Sequence, residues 1–138
     1  MIDSVWRWVR FKPQELHAKG RSSDLKYVSP LLLDRLELLG DKLEEEHGRR
    51  IRLIINDWSW GGKFNWRGFR TKLGNTLAGG RKGSFHLFGA AADVHSPDIS
   101  AEQIYLVAVS LFGGVILYSK KGFVHCDVRN GPVYHQKR

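Results

Sequence analysis

Cysteine is almost absent from this 138-residue chain. The single Cys126 excludes an internal disulfide and any Cys-rich structural zinc site. No apolar run approaches the ~20 residues needed to cross a bilayer, so no membrane partner is expected. The opening residues, Met1-Ile2-Asp3-Ser4-Val5-Trp6-Arg7-Trp8, lack the apolar stretch of a secretory signal, and synthesis in the cytoplasm without a recognisable signal peptide is the expectation. Internal repeats and low-complexity segments are missing as well. Acidic residues are comparatively few: 22 Lys and Arg stand against 14 Asp and Glu, a net charge of +8. Such a surface attracts polyanions, with nucleic acid and the bacterial wall as candidates that charge alone does not separate. What is present in quantity is apolar, at 42% hydrophobic and 12% aromatic residues. That suffices for unaided folding, and the length predicts one domain, 1–138, around a single core, expected to be a monomer.

Local signals predict the elements in turn. Phe11 to Leu16 reads as a short helical turn after Pro13, and Asp24 to Val28 as irregular or extended. Ser29-Pro30 opens the clearest helix, because Ser is a good N-cap and Pro fits the first helical position. Leu32, Leu36, Leu39 and Leu43 give it one apolar stripe, and Gly48 can end it in a left-handed C-cap. Ile51, Leu53 and Ile55 alternate, predicting a half-buried strand over 49–55. Residues 56–83, rich in Gly, Trp, Lys and Arg, read as a long functional loop. A second strand ends near Val94. Ser100 starts a helix with Gln103 completing a capping box, and Gly113-Gly114 terminate it. Val115–Tyr118 and Phe123–Val128 read as a hairpin. The expected class is α+β, an antiparallel sheet packed with helices.

The stretch Ser84-Phe85-His86-Leu87-Phe88-Gly89-Ala90-Ala91-Ala92-Asp93 carries the chemistry. Its small residues let the chain bend and bring His86 and Asp93 together, and His125 follows inside the apolar strand 123–128. Two imidazoles and a carboxylate are the ligand set of a catalytic zinc with one open position, although two unrelated histidines near a strand aspartate would read the same way.

Ser84, His86, Gly89, Ala91 and Asp93 match the S-x-H-x-x-G-x-A-x-D signature of the zinc D-Ala-D-Ala metallopeptidases, a group that includes phage endolysin peptidases and the Hedgehog signalling domain. Gly114-Val115-Ile116-Leu117-Tyr118 followed by Phe123-Val124-His125-Cys126-Asp127-Val128-Arg129 resembles the closing motif of its small phage and bacterial carboxypeptidase-like branch. The resemblance implies one zinc ion held by His86, Asp93 and His125 on the antiparallel sheet. It also implies hydrolysis of peptidoglycan stem peptides at the cell wall, as carboxypeptidase or endopeptidase of D,D- or L,D-type, and a phage-borne gene fits.

The chain departs from that pattern twice. Gly122 stands where many relatives carry an acid three positions before the last histidine. Asp127, on the same strand face as His125, is then the candidate catalytic base, with an imidazole-orienting role or a salt bridge to Arg129 as the competing roles. The usual carboxylate-binding arginine is missing after Asn56, which leaves Arg67 and Arg70 as candidates to bind substrate. Ser84 and Tyr118 complete the substrate-binding set. Trp58, Trp60 and Trp66 are weighed as a substrate groove against local packing, and His95 as a residue touching the site. The competing functions are a zinc-containing binding module of the same fold without turnover, and a nucleic-acid binder, ranked last because it leaves the His/Asp/His arrangement unexplained.

Overall fold

The computed structural model describes residues 6–138; Met1–Val5, which enter the reading of the N-terminus, lie outside the described residues. A 3-10 turn at Pro13–Leu16 follows the N-terminal segment. A second 3-10 turn spans Ser22–Tyr27, where an irregular or extended stretch is expected from sequence.

The long helix, α1 (Pro30–His47), forms where its caps predict. The Ser29 side chain accepts the Leu32 N–H, and Gly48 closes the helix in the left-handed conformation. Leu32, Leu33, Leu36, Leu39 and Leu43 are all buried in the core. The expected strand at 49–55 is extended but makes only an isolated bridge, Ile54 with His95. Side chains take up its backbone donors instead: Ile51 N–H bonds Glu44, Arg52 N–H bonds Asp98 and Ile55 N–H bonds Glu15. With those donors satisfied locally, no ladder partner is needed.

The 56–83 region is less of a loop than expected. It contains a 3-10 turn (Trp58–Trp60) and a short helix, α2 (Lys72–Leu77), capped by the Thr71 side chain on Gly74 N–H. Helix α3 (Ala101–Ala108) begins with the expected Ser100/Gln103 capping box.

The sheet has four strands: β1 (Ala91–Val94), β2 (Gly114–Tyr118), β3 (Phe123–Asp127) and β4 (Tyr134–Lys137), in the order β1-β3-β2-β4. β1 and β2 run antiparallel to β3, whereas β4, which has no clear strand signal in the sequence, runs parallel to β2. The sheet is therefore mixed rather than purely antiparallel.

Alternation along the strands sorts the two faces. Ala92, Val94, Val115, Leu117, Val124 and Cys126 join the core with α1 and α3. Asp93, His125 and Asp127 point to the other face. Register does the rest: Asp93 lies directly opposite His125, and Gly114 opposite Asp127.

Candidate metal centre

His86 reaches the sheet from a 3-10 turn, Phe85–Phe88, packed against β1. The turn is held at its start by Ser84, whose Oγ accepts the His86 N–H at 3.3 Å, and at its end by Gly89 with φ +65°. A Cβ at Gly89 would also collide with the Tyr27 carbonyl oxygen. Only glycine meets both demands.

His86 Nε2, Asp93 Oδ1 and His125 Nδ1 form a nearly equilateral triangle. Its edges are 3.1 Å from His86 to Asp93, 3.2 Å from His125 to His86 and 3.2 Å from His125 to Asp93. Ligand atoms bound tetrahedrally at about 2.0–2.1 Å lie about 3.3–3.4 Å apart. The triangle thus has the size of one face of a zinc tetrahedron, and all three residues are buried.

The other atoms of these side chains are committed elsewhere in a way that aims the ligands. His86 Nδ1 donates to the Gly68 carbonyl at 2.8 Å, leaving Nε2 with its lone pair. His125 Nε2 donates to Asp127 Oδ2 at 2.7 Å, so that Nδ1 is the nitrogen turned toward the triangle. Arg70 Nη2 donates to Asp93 Oδ2 at 3.2 Å, so that Oδ1 faces the imidazoles. Such partners orient metal ligands, and the acceptors behind the two imidazoles also raise their basicity. The residues present therefore fit one zinc ion.

Charge within the cluster is balanced by the same contacts. Burial lowers the pKa of His86. Burial also opposes the charge on His125, but its hydrogen bonds to the Asp127 and Asp93 carboxylates, which accept, outweigh it and bring its pKa to about 9. Burial pushes the two carboxyls up, yet the histidines hold Asp93, and Arg129 with His125 hold Asp127, well below the usual carboxylate range.

The other candidate residues are each held by neighbours. Asp127 is fully buried and turned away from the metal triangle, on the far nitrogen of His125. Arg129 clamps it through Nε to Oδ1 at 2.8 Å and Nη2 to Oδ2 at 2.7 Å. With both oxygens engaged and its basicity depressed, it stands where the competing reading of the sequence puts it, behind His125 as an imidazole-orienting partner and paired with Arg129. Arg70 lines the cleft, with its guanidinium divided among Asp93, Asn75 Oδ1 and the Trp66 carbonyl. Arg67 lies against the rings of Phe64 and Phe123 and bonds His95 Nδ1 at 3.0 Å, so neither Arg67 nor His95 lines the cleft. Trp58 bonds the His17 carbonyl and Trp66 lies against Gly74, both as packing.

The triangle opens into a cleft of about 450 Å³. Ser84 and Tyr118 line it, as expected, together with Phe85, Phe123 and Tyr134. Arg81, Lys82, Lys121 and Arg138 also line it; they carry no motif, and only the excess of basic residues hinted at them. A larger groove of about 780 Å³ between Arg10, Glu44, Arg50 and Trp60 shares no residue with this cleft, and the metal-binding geometry belongs to the smaller one. Gly114 explains the closing motif: any Cβ there would overlap the Asp127 carboxylate.

No curated protein matches the chain. Residues 65–127 match the family model described as Peptidase M15, a window that holds every candidate site residue from Arg67 to Asp127 and ends just before Arg129. Metallopeptidases of that family are typically zinc-dependent, and the match, joined to a buried His86–Asp93–His125 group of tetrahedral dimensions, supports a zinc peptidase.

Proposed function

We propose that the protein is a zinc metallopeptidase that hydrolyses peptide bonds in bacterial peptidoglycan stem peptides at the cell wall, as carboxypeptidase or endopeptidase. The observation that carries this reading is the ligand triangle with edges of 3.1–3.2 Å, each ligand fixed from behind by its own partner.

When bound, zinc supplies a Lewis acid that polarises the scissile carbonyl and acidifies water. The chain's residues do the rest. Gly68 and Asp127 hold the two imidazoles in the required tautomers, and Arg70 restrains Asp93 to one facing oxygen. The Ser84 and Tyr118 hydroxyls and the side chains of Arg81, Lys82, Lys121 and Arg138 offer hydrogen bonds and positive charge to a peptide ending in, or flanked by, carboxylates. They stand beside Arg70 in the lining, whereas Arg67 lies outside it.

One observation favours a second reading, a zinc-containing binding module without turnover. Among the described residues lining the cleft the only carboxylate is Asp93, so no second acid stands ready to move a proton.

Mass spectrometry of muropeptides after incubation with zinc-loaded protein separates the two. Hydrolysis that identifies one bond, and is lost in His86→Ala, supports the peptidase. Bound zinc with every muropeptide intact supports the binding module.

A further inference from the structure

The positive charge of this chain is not spread over its surface. Every residue lining the metal cleft falls in two spans, 70–93 and 116–138. These 47 residues hold nine Lys and Arg but only two carboxylates, Asp93 and Asp127, a net charge of +7. The remaining two thirds of the chain hold 13 cations and 12 carboxylates, a net of +1. Both carboxylates of the cleft spans are buried and engaged with histidine and arginine, so neither presents negative charge at the mouth. Arg81, Lys82, Lys120, Lys121 and Arg138 are exposed, as is Lys72 at the start of α2, which packs against the turn bearing His86.

We propose that this cationic rim is a docking surface for a linear phosphodiester polymer, the anionic chain class borne by bacterial walls, which brings the cleft to its substrate. A like-signed rim around one cleft raises the local concentration of an opposite polyelectrolyte far more than a dispersed charge does. The rings of the cleft argue against nucleic acid as the occupant. Tyr118 and Phe123 stack on each other at 4.7 Å, and Arg129 lies over both Phe85 and Tyr134, so each ring already has a partner over one face. A base-reading surface presents free rings for stacking; a polymer of phosphates and polyols asks only for charge. The choice of a wall polymer rests on the peptidase reading of the same cleft.

The test is sedimentation of the zinc-loaded protein with insoluble wall, either bearing its phosphodiester polymer or stripped of it. Binding to polymer-bearing wall is expected to be at least about tenfold tighter at about 50 mM NaCl, and the difference to vanish at about 500 mM. Lys72→Glu/Lys120→Glu lies outside the cleft lining. It should lose most of that difference while cleaving a short soluble stem peptide at the wild-type rate. Poly(glycerol phosphate) should compete better than a single-stranded oligodeoxynucleotide of equal phosphate number. Equal binding to the two walls, a double variant that binds like wild type, or stronger competition by DNA overturns the proposal. Polymer-dependent binding with the stem peptide left uncleaved upholds this rim and overturns the peptidase reading, so the two fail separately.

Discussion

The two spans that build the cleft and the rest of the chain use carboxylates in opposite ways. In the scaffold, acidic side chains are structural partners. Arg10 pairs with Glu37, Asp41 and Glu44, and Arg52 with Asp98, while Glu15, Glu44 and Asp98 also accept backbone N–H groups of the extended 51–55 segment. In the cleft spans both carboxylates serve the histidines, Asp93 beside His86 and His125, Asp127 behind His125. Lysines and arginines there outnumber acids nine to two, and both acids are engaged at the histidine cluster. The net charge of the protein therefore lies mostly in the spans that build the cleft, and composition alone understates how concentrated it is.

The sharpest way to break this comparison is to remove a ligand. His86→Ala takes away one corner of the triangle while leaving the core face of β1 and β3 intact. Loss of bound zinc and a fall in hydrolysis of at least about 1000-fold are expected, read by metal analysis and by peptide release, with the circular dichroism of the fold retained.

Asp127→Asn comes next. It leaves every ligand in place but weakens the hold on His125 and unpairs Arg129. Zinc affinity should drop about 10–100-fold, measured by competition with a chelator. An unchanged affinity would mean that Asp127 does not act through His125.

A smaller effect concerns protons. In the metal-free protein the folded pKa of His125 is about 9, above its ordinary value of 6.5. The interaction that raises it stabilises the metal-free fold fully below pH ~6.5 and is lost as pH rises through ~9. Zinc must displace that proton from Nδ1, so binding near pH 7.5 should release about one proton, declining toward none above pH ~9. Calorimetric titrations in buffers of different ionisation enthalpy give this number directly.

The smallest effect belongs to the scaffold. Burial raises the Glu15 carboxyl from 4.5 to about 7, despite its backbone hydrogen bonds to Lys12 and Ile55. A raised acid is favourable only while protonated, so stability should fall as pH rises from ~4.5 through ~7, by roughly 2–3 kcal/mol. Urea midpoints at pH 5 and 8 should differ in wild type and converge in Glu15→Gln.

What could be read from the sequence was what local chemistry specifies. The caps at Ser29, Gly48 and Ser100 mark helix ends because they act within a few residues. The spacing from Ser84 to Asp93 marks a bend that brings two side chains together, and Gly89 shows why that bend needs a glycine. Long-range partnerships were not legible. The alternation of Ile51, Leu53 and Ile55 is genuine burial, yet the segment is not a ladder strand because side-chain carboxylates, two of them at least 40 residues away, satisfy its donors. β4 escapes notice because Tyr134–Lys137 is short and only partly buried, and its parallel pairing depends on β2. Arg67 and Arg70 have the right chemistry for a substrate carboxylate, but tertiary packing turns one toward Phe64, Phe123 and His95 and the other toward Asp93. Asp127 shares a strand face with His125, which spacing predicts; which nitrogen it meets is settled by the fold.

Whether the His86–Asp93–His125 group is a zinc centre and the seat of hydrolysis is tested most directly by adding zinc in steps to metal-free protein while following peptide release from purified peptidoglycan. No release is expected at the start, then a rise that breaks at about one equivalent of zinc, absent in His86→Ala. Hydrolysis by the metal-free protein, or zinc bound at one equivalent with no peptide released, would contradict this expectation.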